Sequence, residues 1–549
     1  MISRDRLHKL YPNDVDRIEA GVEELLAKYA SITPSDKPLS QRDAILITYG
    51  DAIRHGDLNP LEALRRFASE HLADAISAVH LLPCFPFTSD DGFSVQDYYQ
   101  IDPALGDWQD IERLGDSFAL MFDAVVNHAS QACDWFQGFL AGDPALQDYF
   151  VVSDPELDYS SVTRPRALPL LHDYEKADGS TVHVWTTFSR DQVDLNYRSP
   201  EVFLQVLDVL LFYISRGARF IRLDAIAFIW KEIGTTCLHL AEAHEIIQLY
   251  RHFIERLAPQ AVIITETNVP HEENISYFGD GSNEAHMVYN FTLPPLLMHS
   301  LHKQDVEVLT SWAQSLKLPS DEVCFFNFTA SHDGVGVRPL QGIVSDDEIR
   351  ELADIAVRHG GFVSMKDNGD GTESPYEINC NYLDFATAPD ASTDERIQRF
   401  LLTQSVMLAM PGVPGIYYHS LLGSQNDLQA AIDSGINRRV NRAKLQLNEL
   451  VKEITDETSL RSRVLSRYKA MLDARSSDPA FDPYGRAEYR NEGGVFVIRR
   501  DNVTTLHNFT DRHSTVELGT ASNDLLTGET LPEHVELGPF EFRWLKQAN

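Results

Sequence analysis

The chain has 549 residues, 43% of them hydrophobic, and a formal net charge of −35. That length suits a large barrel with appended domains rather than one small core, and the charge disfavours nucleic acid and anionic membranes as partners. No apolar run reaches the roughly 18 residues of a membrane span, and the N-terminal stretch lacks the apolar core of a signal peptide. The five cysteines, Cys84, Cys133, Cys237, Cys324 and Cys380, show no Cys-x-x-Cys spacing. This argues for a reduced, cytoplasmic protein without a disulfide framework or zinc site.

Residues 1–43 carry Val15, Ile18, Val22, Leu25 and Leu26 at helical spacing and read as a helical lead-in. Eight short, mostly apolar strand-like runs follow, at 44–53, 76–86, 119–130, 220–228, 261–268, 286–294, 323–334 and 412–423. Helical stretches, among them 200–216, 238–257 and 394–410, lie between most of them. Continuous apolar strands alternating with amphipathic helices predict a parallel (β/α)₈ TIM barrel over residues 44–474, an α/β fold. Two connections, 129–193 and 335–393, are too long for plain barrel loops and are expected to sit over the catalytic face as inserted domains. From residue 475 to 549 the pattern changes to short alternating segments between Gly, Asn and Asp, which predicts a C-terminal antiparallel β domain.

The polar residues fall at the C-terminal ends of the strands, the catalytic face of such barrels. Asp51, Asp224, Glu266 and Asp333 stand at four of these ends. In the fourth run, Arg222 and Asp224 are two apart and share one face of a strand. The arginine is expected to hold the aspartate ionised and fixed in direction. Glu266 has no cation two residues away and is free to hold a raised pKa. A carboxylate nucleophile beside a second carboxyl that cycles between acid and base is what retaining glycoside transfer requires. Asp333 can stabilise sugar hydroxyls and an oxocarbenium-like state.

Read together, DAVVNH (123–128), RFIRLDAIAF (219–228), ITE ending at Glu266 and TASHD (329–333) resemble, in order, the four motifs of the α-amylase superfamily, glycoside hydrolase family 13. QVDLN (192–196) resembles a fifth. The resemblance implies Asp224 as nucleophile, Glu266 as general acid/base and Asp333 as transition-state stabiliser. It also places Asp123, His128, Arg222 and His332 around the sugar, with Asp123 orienting Arg222. GDAI after the first strand, LLPCFPFTSDDGFSVQDYYQID after the second, RPRALP (164–169) and VWTTFSRDQVDLN resemble the sucrose-phosphorylase-like branch, which passes glucose to phosphate through a covalent intermediate. By that resemblance Asp51, Phe188 and Gln192 contact the glucosyl unit, Asp97 and Tyr98 occupy the matching second-strand loop, and Arg166 or Arg164 meets phosphate. Phe228 and Asn268 border the acceptor site, where sucrose-active members carry a tyrosine and a histidine. INRR (436–439) resembles a sugar-contacting segment and contributes Arg438.

The runs DGTESPYEINCNYLDF and ETNVPHEENISYFGDG look like those of glucosylglycerate phosphorylases within this branch. Glycerate is anionic, and Lys231, Lys366, Arg438 and Arg439 are candidate partners for it. The expected activity is therefore phosphorolysis of a small α-glucoside, glucosylglycerate first, to α-glucose 1-phosphate. The expected partners are the glucoside and inorganic phosphate as co-substrate; no other cofactor and no required metal are expected. Sucrose or glucosylglycerol phosphorolysis, a retaining α-glucosidase or transglucosidase, and a non-catalytic binding protein on the same barrel remain the alternatives.

Overall fold

A computed structural model of the chain describes residues 2–33, 38–165, 168–367 and 371–547. Eight strands form a closed parallel barrel: β1 (Ile45–Thr48), β2 (Ala78–Leu81), β3 (Ala119–Ala124), β4 (Ala218–Leu223), β5 (Val262–Thr265), β6 (Met287–Tyr289), β7 (Cys324–Phe328) and β8 (Val413–Tyr417). Each strand pairs with its neighbours in the sequence, and β8 returns to β1 with Gly415 opposite Ile45. Gly415 faces the Phe326 ring so closely that an added Cβ would sit 2.3 Å from it, which leaves room only for hydrogen at that rung. Every residue of β1, β2, β5, β6, β7 and β8 is buried. A strand covered on both faces has no solvent side to make polar, hence the unbroken apolar runs.

The strands stop well short of the apolar runs that contain them, because the chain beyond their C-terminal ends is bent to other uses. The run 119–130 ends its barrel strand at Ala124 and then forms a separate strand, His128–Ser130, antiparallel to Gln192–Asp194. That pairing ties the two ends of the first long connection together and sets Gln192 beside His128. Between them lie a helix, Asp134–Ala141, and a hairpin of Leu171–Glu175 with Thr181–Trp185. The second long connection holds a helix, Asp346–Arg358, and a three-stranded antiparallel sheet of Val335–Gly336, Glu373–Asn379 and Phe362–Asp367. In it Gly336 pairs with Glu377, which returns that carboxylate to the barrel mouth.

Helices Pro200–Ser215, Ala241–Glu255 and Thr393–Ala409 surround the barrel. The middle one begins later than its apolar pattern, since Cys237 and His239 both take positive φ and break the turn before it. Helices Ile2–Leu10 and Val15–Lys28 lie against the outside, with Ile18 and Val22 buried and the Tyr11 hydroxyl donating to the Tyr197 carbonyl at 2.8 Å. Beyond the helix Leu460–Ser477, a six-stranded antiparallel sheet packs on the helix Thr393–Ala409. There Ser405 accepts from Trp544 Nε1 at 2.8 Å and meets His507 Nε2 at 2.9 Å. The five cysteines are buried free thiols. Among the described residues no helix is long and apolar enough to cross a membrane.

Candidate active site

The site is built by three neighbouring strands. Arg222 of β4 lies opposite Asp123 on β3 and Ile264 on β5, so Asp224 and Glu266 each follow two residues later at the strand ends. The Asp224 N–H donates to the Ala124 carbonyl at 3.2 Å, and the Glu266 N–H to the Leu223 carbonyl at 3.2 Å. Neighbouring strands are about 4.8 Å apart, so the two carboxyl groups start side by side. Immediately after Asp224 the backbone of Ala225 turns into the left-handed region at φ 49°, unusual for a residue with a side chain, and directs its N–H to Glu266 Oε2 at 3.2 Å.

One guanidinium organises the charges. Arg222 donates to Asp123 and, at 2.8 Å, to Asp224 Oδ1. Its second terminal nitrogen stands 3.8 Å from Glu266 Oε2, so the arginine reaches the acid/base candidate as well as the nucleophile candidate. Burial tends to raise the Asp123 carboxyl, but Arg222 and His80, whose Nε2 is 2.7 Å away, outweigh it and keep the group below the usual range. Burial pushes Asp224 and Glu266 up; for both, nearby carboxylates add to the shift and Arg222 opposes it. Two close carboxyls beside a cation already shared with Asp123 favour holding a proton between them. Arg222 bonds Asp224 directly, and this opposes a proton there.

The opposite rim holds Asp333. Burial would raise it, but Arg438, with Nη1 2.5 Å from Oδ1, then His332 and Arg442, drive its pKa well down. Arg438 also forks onto Glu377 through Nε at 2.9 Å and Nη2 at 2.6 Å. Burial keeps His332 neutral, its pKa lowered to about 3, and its ring stacks on Phe93 with centroids 4.6 Å apart. On the remaining side, His128 Nε2 meets the Phe93 carbonyl at 2.9 Å, and Gln192 Nε2 lies 3.2 Å from the same imidazole nitrogen and 3.3 Å from Asp90 Oδ2. Phe188 stands between His128 and Phe228, at ring centroid distances of 5.3 and 5.5 Å. The cleft enclosed by these groups amounts to about 900 Å³, part of it open to solvent.

The cleft thus brings together Asp224, Glu266, Asp333, His128, Phe188, Gln192, Phe228, Asn268, His332 and Arg438, with Arg222 beneath them. Four other expected sugar-side residues do not line it, and one of them, Asp123, is buried below against Arg222 and His80. Asp51 is bound to Lys444 at 2.5 Å and Arg54 at 2.6 Å and lines a separate cavity behind the rim. Asp97 accepts from the Tyr99 N–H at 2.7 Å and Gln100 Nε2 at 2.7 Å, closing its own turn. Tyr98 is buried against Trp135 and donates towards the Val125 and His128 carbonyls, so it supports the wall from behind. The second-strand loop instead presents Asp90 and Phe93 to the cleft. The signal in the sequence was the run Asp90-Asp91-Gly92-Phe93, where three successive positive φ angles turn the loop inwards.

The expected cations separate in the same way. Lys231 is buried, its ammonium 2.6 Å from Asp194 Oδ2, 2.8 Å from Asn127 Oδ1 and 2.5 Å from the Phe228 carbonyl, and unavailable to an acceptor. Arg439 faces Asp91 at 3.3 Å beside the rear cavity, and Lys366 lines an outer pocket rather than the cleft. Arg438 is committed to Asp333 and Glu377. Pro165 reaches the cleft, Arg164 precedes it with a buried Nε that has no hydrogen-bond partner, and Arg166 lies outside the described residues. Arg338, Tyr376 and Glu377 line the cleft and were not anticipated, because the second long connection brings them there through sheet pairing that no local motif announces.

A barrel with paired carboxyls at the ends of β4 and β5 and a third after β7 is the arrangement of retaining enzymes acting on α-glucosides. Residues 73–334 match the alpha amylase catalytic domain. The chain is 46% identical over 518 residues to the glucosylglycerate phosphorylase of Escherichia coli strain K12, covering 93% of each chain. Identity to the glucosylglycerol phosphorylase of Marinobacter adhaerens is 29%, over 89% of this chain and 98% of that one. The crystal structure of sucrose 6F-phosphate phosphorylase from Thermoanaerobacter thermosaccharolyticum superposes with a TM-score of 0.75 at 24% identity, covering 91% of this chain and 98% of that one, and shares the fold. The chain belongs to the α-amylase family, in its branch of glycoside phosphorylases.

Proposed function

We propose that this protein is a retaining α-glucoside phosphorylase that takes glucosylglycerate and inorganic phosphate to α-glucose 1-phosphate and glycerate. The observation that carries the reading is the convergence of Asp224, Glu266 and Asp333 on one cleft, within a chain 46% identical over 518 residues to a glucosylglycerate phosphorylase. The lower identity to a glucosylglycerol phosphorylase favours the acidic acceptor over the neutral one.

In the first half-reaction the Asp224 carboxylate attacks the anomeric carbon while Glu266 gives its proton to the departing glycerate oxygen. The bond to glycerate breaks as the glucosyl–Asp224 ester forms. In the second, a phosphate oxygen attacks the same carbon, Glu266 takes back a proton, and the ester opens with net retention. Arg222 holds Asp224 in line, and the Arg438–Asp333 pair presents a carboxylate whose depressed pKa keeps its charge for the oxocarbenium-like state. His128, Gln192 and Asp90 offer hydrogen bonds to the glucosyl hydroxyls, and Phe188 gives the ring an apolar floor. Inorganic phosphate is the co-substrate, met by Arg166 or Arg164 of the RPRALP segment, whose Pro165 reaches the cleft. No metal is required on this reading, since the Lys231 ammonium already neutralises the Asn127–Asp194 corner.

The experiment is an assay of phosphate-dependent glucose 1-phosphate release over a panel containing glucosylglycerate, glucosylglycerol, sucrose and maltose. Fast release from glucosylglycerate alone is expected. Phosphate-independent release of glucose from any of them would make the protein a hydrolase instead.

A further inference from the structure

We infer that Arg338 is the residue that selects an acceptor bearing a carboxylate, with the Asn268 amide taking one of that acceptor's hydroxyls. This rests on the glucosylglycerate reading and supplies the cation which that reading needs.

Among the described residues, the other cations of the cleft are occupied. Arg222 serves Asp123 and Asp224, and Arg438 serves Asp333 and Glu377. Arg442 is held by Asp91 at 2.6 Å and by the His332 carbonyl at 2.8 Å. Burial lowers the pKa of both His128 and His332, so neither brings a charge. Arg338 differs. Its one ion pair among the described residues is a loose contact to Glu273 at 4.0 Å, and Glu273 is itself 3.1 Å from His239 Nε2. A quarter of its side chain remains exposed, on the wall between the cleft and the outer pocket that contains Lys366 and Arg350.

Its placement relative to the chemistry is fixed by the backbone. Pro339 follows it and stiffens the turn Arg338–Leu340, and the Val337 N–H donates to the Tyr376 carbonyl at 3.2 Å. Gly336 packs on the Asn268 amide so tightly that an added Cβ would lie 2.4 Å from Nδ2. The strand that leads into the Arg338 turn is thereby pressed against the loop carrying Asn268, two residues beyond Glu266. An acceptor whose reacting oxygen meets Glu266 then extends its substituents towards Asn268 and Arg338. Asn268 Oδ1 is buried with no hydrogen-bond partner, a vacancy suited to a hydroxyl donor. A guanidinium fork matches a carboxylate in shape, and in a protein of net charge −35 an anion is retained only by such short-range contacts.

The test measures glucosyl transfer from α-glucosyl fluoride to glycerate and to glycerol, the neutral analogue, by the wild type, Arg338→Ala and Arg338→Lys. Donor and catalytic carboxyls are common to both acceptors, so a general loss of folded enzyme cancels in the ratio of the two kcat/KM values. The wild type is expected to prefer glycerate, and Arg338→Ala to lower the glycerate-to-glycerol ratio by about 30-fold or more, with Arg338→Lys between them. If Arg338→Ala is inactive, the Arg338→Lys ratio decides. A ratio that stays within about twofold of a glycerate-preferring wild type overturns the role of Arg338 alone. A wild type with no preference for glycerate overturns the glucosylglycerate reading, and this inference with it.

Discussion

Arg222 Nη1 lies 2.8 Å from Asp224 Oδ1, while the nearest approach of the same guanidinium to Glu266 is 3.8 Å. On the proposed mechanism the shorter contact favours the anion on Asp224 and leaves the proton to Glu266, so two like groups would enter the reaction in opposite states. Replacing Asp224 by Asn removes the proposed nucleophile without changing its size. Turnover of glucosylglycerate should fall on the order of 10⁵-fold, and the wild-type product should be the α-anomer of glucose 1-phosphate by NMR. A β-configured product would rule out the glucosyl–Asp224 intermediate.

On the proposed mechanism Glu266 is protonated when glycerate departs, and burial raises its pKa. The kcat/KM for glucosylglycerate should therefore fall as pH rises through that raised value. Glu266→Gln should abolish this limb of the profile and slow the natural donor by about 10²- to 10⁴-fold. α-Glucosyl fluoride, whose leaving group needs no proton, should be slowed far less. Equal losses on the two donors would remove Glu266 from the role.

Asp90, which the sequence reading did not single out, stands in the cleft, whereas Asp51, expected there, does not. Asp90 borders the cleft with Gln192, and Asp51 sits behind the rim in ion pairs with Lys444 and Arg54. Asp90→Asn should cut kcat/KM for glucosylglycerate about 10-fold or more by weakening hydrogen bonds to the sugar. Asp51→Asn should lower the melting temperature and leave kcat/KM within about threefold. The reverse pattern in steady-state kinetics would return Asp51 to the glucosyl site.

The Lys231 ammonium lies on Asn127, Asp194 and the Phe228 carbonyl, oxygen donors of the kind that hold hard cations. A chelator should leave both activity and melting temperature unchanged. Lys231→Met leaves Asp194 buried without its partner and should destabilise the fold by about 3 kcal/mol, read by denaturant unfolding. Loss of activity on chelation would show a metal dependence that these contacts do not explain.

Water competes with phosphate for the glucosyl–enzyme, and the mouth of the cleft carries Pro165 beside Arg164, whose pKa burial lowers. Arg166→Ala and, second, Arg164→Ala should raise the Michaelis constant for phosphate about 10-fold. Product should shift from glucose 1-phosphate towards glucose, with glucosyl–enzyme formation less affected. An unchanged product ratio in both variants would move the phosphate site elsewhere.

The sequence by itself determined the barrel and the strand-end placement of Asp224 and Glu266, because both are local. Strands buried on both faces must be apolar throughout, and a carboxylate at a strand's C-terminal end, as at Asp224 and Glu266, faces the barrel mouth whatever surrounds it. The tertiary structure decided the walls. Asp90 rather than Asp51 reaches the cleft because the second-strand loop turns on left-handed residues. Lys231 is withdrawn by Asp194, more than thirty residues earlier in the chain. Glu377 arrives on a strand paired across the second long connection, and Arg338 on the turn that follows its partner strand. Which cation is spent on a carboxylate and which stays available to a ligand depends on distances between segments far apart in sequence, and residue spacing does not encode those distances.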